Sequence, residues 1–241
     1  MAVIGEAAET GIRPVDAPIR GEQPLHEQRR LMAHGWAALV HDDPVRARGL
    51  LSATSPAEGS ERVSMWMDAW RARAEFILGE WPDAMRTVER GLGRAERFGV
   101  PILEPLLLWT GAQIAAYRGD HGLARDYLNR AVIGPDSFPI QIIPSLMGRI
   151  VVSSIQSDVP AAVRAGDALN AQAANLDISQ PGFWPWEDVY ALALLRAGRI
   201  DDADAVTSAG ESRAEGSGIR SLSAKLAIPR AGILIQRGDI D

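Results

Sequence analysis

Six copies of one turn signature recur along this chain and limit what it can fold into. They read His41-Asp42-Asp43-Pro44, Leu78-Gly79-Glu80-Trp81-Pro82, Arg118-Gly119-Asp120, Gln156-Ser157-Asp158-Val159-Pro160, Ala197-Gly198-Arg199 and Arg237-Gly238-Asp239. Counted between the equivalent positions 42, 79, 119, 157, 198 and 238, the intervals are 37, 40, 38, 41 and 40 residues. A period in this range belongs to stacked helical hairpins, each too small to bury its own apolar face. Each copy has a Gly or small polar residue that can end a helix in the left-handed conformation, and most place an Asp where it can cap the next one. Pro44, Pro82 and Pro160 fall just inside the second helix, where the missing N–H costs nothing. Five residues after each of the first five turns stands an alanine (Ala47, Ala84, Ala124, Ala162, Ala203), small enough to let two helices approach closely.

The expected fold is therefore all-α: a right-handed superhelical solenoid of helical hairpins with a period of about 39 residues. First helices are expected over 25–40, 61–78, 102–117, 140–156, 184–197 and 219–236, and second helices over 44–55, 82–98, 121–132, 160–176 and 200–215. Proline- and glycine-rich breakers separate the hairpins, and no segment alternates with period two for long enough to be a strand. Residues 1–24 read as an irregular N-terminal segment, the possible tail of an earlier helix followed by a connector. Residues 25–241 read as one repeat domain without an internal boundary. The last turn opens a helix that the sequence does not continue, so Leu226, Ile233 and Leu234 are expected to lack a cover. The chain then reads as cut from a longer protein, truncated in its last repeat, with a sticky or homo-oligomeric C-terminal end.

Composition excludes several function classes. The chain has no cysteine, which removes disulfides, thiolate catalysis and cysteine-based metal sites. No apolar run approaches a membrane span, and the start lacks the pattern of a secretion signal, so a cytoplasmic location is expected. A net charge of -6 argues against direct nucleic-acid contact. His26-Glu27-Gln28-Arg29-Arg30 has Arg where a zincin-type helix needs its second His. There is no nucleophile elbow and no phosphate loop with lysine, and the two Arg-Gly-Asp triplets are the repeat turn itself. Adjacent acids such as Asp42-Asp43, Asp201-Asp202 and Glu187-Asp188 diverge on a helix, two of the pairs at helix starts where carboxylates suit the dipole. No catalytic constellation, metal site or cofactor is expected, and the chain reads as a binding surface rather than an enzyme.

The seven tryptophans are the remaining signal. Trp36, Trp66 and Trp109 fall on the first helices of successive hairpins, the helices that line the inner groove of such a solenoid. Trp66, Trp70 and Arg73 share one helical stripe, and Trp109, Gln113 and Tyr117 share another. Flat aromatic faces beside Arg and an amide suit a sugar, a nucleoside or a short peptide; the same tryptophans also suit filling between hairpins. Pro181–Trp186, rich in aromatics and proline, reads equally as a lip over the groove, through Trp186, or as a plug between hairpins.

The hairpins resemble tetratricopeptide repeats. In Arg118–Ala131, the spacing of Ala124, Leu128 and Ala131 matches the small–large–small pattern of that family's second helix, and Ala112 matches the small residue of its first. The period is longer than that family's, and its first-helix tyrosine is mostly absent. Longer repeats of this kind are similar to the sensor regions of large LuxR-type transcriptional regulators of the MalT-like family, and LLRAGRIDDADAV and ILIQRGDID fit that pattern. This resemblance implies an inducer, with a saccharide among the candidates, bound by the superhelix, and signalling to nucleotide- and DNA-binding modules elsewhere in the polypeptide. The alternative is a protein–protein scaffold taking a peptide or helix.

Overall fold

The computed structural model describes residues 24–53, 59–131, 133–134, 136–173 and 184–239. Most of the expected irregular segment 1–24, and residues 181–183 of the aromatic stretch, lie outside the described residues. Within them are eleven α-helices, a 3₁₀ turn at Pro101–Leu103 and no strand. The helices are α1 (Pro24–Val40), α2 (Pro44–Leu51), α3 (Glu61–Ile77), α4 (Trp81–Phe98), α5 (Glu104–Tyr117), α6 (His121–Arg130), α7 (Pro139–Ile155), α8 (Val159–Ala173), α9 (Glu187–Arg196), α10 (Ile200–Ser217) and α11 (Arg220–Arg237). The fold is all-α, as expected. Several boundaries differ: α2 ends at Leu51, short of the expected 55, Pro101–Leu103 forms the 3₁₀ turn ahead of α5, and α9 starts at Glu187, with Pro185 just ahead of it.

All six turns have one geometry. The backbone is left-handed at Asp42, Gly79, Gly119, Ser157, Gly198 and Gly238, with φ between 61° and 79°. The next N–H in each case reaches back five residues to a carbonyl: Asp43 to Ala38, Glu80 to Glu75, Asp120 to Ala115, Asp158 to Ser153, Arg199 to Leu194 and Asp239 to Leu234, at 2.9–3.0 Å. Together with the three-residue bond from the left-handed residue itself, this is the Schellman closure, which satisfies carbonyls that the helix end leaves free. Asp43, Asp120 and Asp158 then accept from Arg46, Leu123 and Ala161 N–H at 3.0 Å and start the second helix. One residue thus ends one helix and its neighbour begins the next, which reverses the chain within a few residues.

The chain divides into two compact units, residues 1–110 and 111–241. In the first, α1 packs on α2 and α3, α2 packs on α3, and α3 packs on α4. In the second, α6 packs on α7, α7 on α8, α8 on α9, α9 on α10 and α10 on α11, while α9 also touches α7 and α11. The alanine five residues after each of the first five turns is fully buried. Where a second helix meets the next first helix the approach is also close. A Cβ added to Gly91 would stand 2.8 Å from the Leu107 side chain, and one added to Gly210 would stand 2.9 Å from Leu226. Both glycines lie twelve residues after a turn and both leucines twelve before the next, so one contact is built twice. Arg149 of α7 adds a polar tie, donating to the carbonyls of Leu128 (3.0 Å) and Ala131 (3.4 Å) at the end of α6.

The expectation that Leu226 and Ile233 lack a cover needs correction. Leu226 and Ile233 are fully buried, because α11 lies against both α9 and α10. Arg230 and Arg237 hold it there, pairing with Asp204 and Glu211, and with Asp201 and Asp204, on α10. These guanidiniums hold the Asp204 carboxyl below its ordinary value. The apolar side chains that α11 does expose are Leu234, Ile228 and Ile235.

Candidate functional site

Helix α3 carries two different chemical faces. At 100° per residue, Trp66, Trp70 and Arg73 share one side, and Ser64, Asp68 and Arg71 fall on the opposite side. Both sides are built within the first compact unit.

The aromatic side is largely a packed core. Trp66 and Trp70 stack with centroids 6.4 Å apart; Trp70 is buried and Trp66 is partly exposed. The Arg73 guanidinium lies over the Trp109 ring at 3.7 Å and near the Phe76 ring at 4.7 Å, and Phe76 stacks on Trp81 at 6.1 Å. Arg73 and Trp109 therefore come together as expected, but on each other. The cation occupies the ring face that a ligand would need, and Trp109 is only 3% exposed. Gln113 is buried too, while Tyr117 is half exposed. The stripe argument fails for Trp109 and Gln113 because α5 is apolar around most of its circumference, from Leu106, Leu107 and Leu108 to Ile114 and Ala116, all buried. A helix this apolar has no groove-facing side to assign. Trp36 is likewise buried. Of the tryptophans expected to line a groove, Trp66 alone keeps part of its surface accessible.

The opposite side is polar, and the tryptophan-centred reading of the sequence missed it. Asp68 accepts from Arg90 and Arg94 of α4 at 2.7 Å, one guanidinium to each oxygen. Glu75, 1% exposed, accepts from Arg71 at 2.6 Å and from the Thr87 hydroxyl at 2.8 Å. Gln28 of α1 donates to Ser64 Oγ at 2.9 Å and accepts from Ser60 N–H at 2.8 Å, tying α1 to the start of α3. Between these groups opens a cleft of about 250 Å³ lined by Leu51, Ser52, Ser64, Met67, Asp68, Arg71, Arg90 and Arg94. Its signal was in the sequence: Asp68, Arg71 and Glu75 on α3, and Thr87, Arg90 and Arg94 on α4, share the same three-then-four spacing, which makes two facing polar stripes.

In the second unit, Trp184 and Trp186 are both buried, so the described part of the aromatic stretch is a plug and not a lip. Trp186 stacks on Tyr190 at 5.9 Å. Glu187, 2% exposed, pairs with Arg213 of α10 and accepts from Trp186 N–H at 3.1 Å. Burial pushes its carboxyl above the ordinary carboxylate range, against the opposing pull of Arg213. Tyr190 donates to Asp167 at 2.5 Å, and burial together with that bond pushes its phenol upward. Arg199 also reaches Asp167 at 3.0 Å, closing a tie between α8 and α9. Through these groups α9 is tied to α8 on one side and to α10 on the other.

Among the described residues no group of three metal-ligating side chains converges, and no helix is long and apolar enough to cross a membrane. Compared with known proteins, the chain matches no family model, no curated protein and no solved structure.

Proposed function

We propose that the chain is a ligand-recognition module: a right-handed, tetratricopeptide-like superhelix that serves as the sensor region of a LuxR-type, MalT-like regulator. The observation that carries the reading is the six-fold identity of the turns, each with a left-handed residue and the same Schellman closure. Hairpins repeated in this way build extended recognition surfaces. A small effector, a saccharide among the candidates, would rest on the accessible part of Trp66, the aromatic that α3 leaves partly open. Titration of the purified chain with a panel of sugars, nucleosides and short peptides, followed by calorimetry and tryptophan fluorescence, tests it. Trp66→Ala is expected to weaken the effector roughly tenfold or more, the loss of one stacking partner. A ligand that binds the wild type and Trp66→Ala equally refutes this site.

A second reading, a scaffold for a peptide or helix, draws on a different observation. Helix α11 exposes Ile228 and Ile235 seven residues apart, with Leu234 beside them. An apolar stripe at that spacing is the form a helical partner recognises.

A further inference from the structure

We propose that the cleft between α2, α3 and α4 binds the oxyanion group, carboxylate or phosphate, of a small ligand, with Arg71 as its main donor. The inference concerns the side of α3 away from Trp66 and does not depend on the effector reading.

The argument begins with the donors. Arg71 uses only Nε within the protein, on Glu75. Arg90 uses Nε and Nη2 on Asp68 and Thr87, and Arg94 uses Nη1 on Asp68. Both Nη groups of Arg71, Nη1 of Arg90 and Nη2 of Arg94 have no hydrogen-bond acceptor among the described residues. The Ser64 hydroxyl, whose oxygen accepts from Gln28, keeps its own hydrogen to give. On the acceptor side, each oxygen of Asp68, the carboxylate of the lining, already receives a guanidinium. An occupant that complements this lining must accept hydrogen bonds, and the paired N–H edges of a guanidinium match the two oxygens of a carboxylate or phosphate.

The cleft is also pre-organised. Buried Glu75 holds Arg71, and buried Asp68 holds Arg90 and Arg94, so the three guanidiniums are positioned before a ligand arrives and little side-chain freedom remains to be lost. Three cationic groups here face two buried carboxylates, with Glu61 standing 3.7 Å from Arg94 Nε. The local charge is close to balanced, which favours a single oxyanion over a polyanion. A volume of about 250 Å³ admits a compact organic acid or a phosphate ester and excludes a folded segment.

Calorimetric titration of the whole chain with inorganic phosphate, acetate and succinate, at constant ionic strength set with chloride, tests the proposal. Saturable binding is expected, with Arg71→Gln and Arg71→Lys each weakening it roughly tenfold or more, since the lysine keeps the charge and loses the fork. Arg71→Lys retains a cation beside Glu75, so a folded variant is in hand if Arg71→Gln unfolds. Arg86→Gln, whose side chain on α4 is 66% exposed and outside the lining, is expected to change nothing. Saturation by phosphate alone or by the carboxylates alone supports the site and names its ligand class. Absence of saturable binding by any of these anions overturns the proposal, and so does equal weakening by Arg71→Lys and Arg86→Gln.

Discussion

Gly166→Ala sets two effects of opposite sign against each other. Gly166 lies in the interior of α8, where replacing glycine by alanine ordinarily stabilises by about 0.5–1 kcal/mol through backbone entropy and helix propensity. Here an added Cβ would stand 1.9 Å from Tyr190 Cδ2, 2.3 Å from Cε2 and 2.8 Å from Cγ. The ring cannot yield freely. Its hydroxyl is tied to Asp167 at 2.5 Å, its face stacks on Trp186, and the residue is only 2% exposed. Moving it forces an off-rotamer side chain or separates α8 from α9, an overpacking cost of about 1–3 kcal/mol, plus about 1 kcal/mol if the hydrogen bond is lost. The net expectation is destabilisation by about 1–3 kcal/mol, a fall in Tm of roughly 3–9 °C for a chain of this size. Gly93→Ala is the control: it is an exposed position in α4 with nothing within 4 Å of the added Cβ, so it should gain about 0.5–1 kcal/mol. Urea and thermal unfolding of both variants beside the wild type measure the difference. If Gly166→Ala is as stable as Gly93→Ala, the α8–α9 contact is not as close as described and the packing argument fails.

Two further outcomes follow from the same reasoning. Ser157 occupies the left-handed turn position with φ 61°, where its counterparts in four other repeats are glycine, so Ser157→Gly should stabilise by about 0.5–1 kcal/mol in urea unfolding; a loss of stability would contradict the strain. Burial raises the Glu187 pKa in the folded state above its ordinary value of 4.5, so the stability it contributes is fully present below that pH and declines as pH rises through the raised value. Glu187→Gln removes this slope, and the variant should gain on the wild type as pH rises from about 4.5 towards neutrality; parallel Tm–pH curves would refute it.

The turns and helix ends were legible in the sequence because their chemistry is local. A left-handed residue, a five-residue backward bond and an adjacent cap are decided within a few positions, so six copies could be read and their period counted. The buried alanines followed from the same register. Which face of a helix meets solvent is a different kind of question. Trp109 and Trp66 look alike on their helices, yet α5 is apolar around most of its circumference and buries Trp109 under Arg73, whereas α3 has a polar side and leaves Trp66 partly open. The cleft is clearer still: Asp68 and Arg90 are twenty-two residues apart, and only the packing of α3 on α4 makes them partners. The burial of Leu226 and Ile233 depended on α11 settling against both α9 and α10. Short-range hydrogen bonding therefore determined where the helices stop and start, while tertiary contact between distant segments decided which side chains they bury and which donors remain for a ligand.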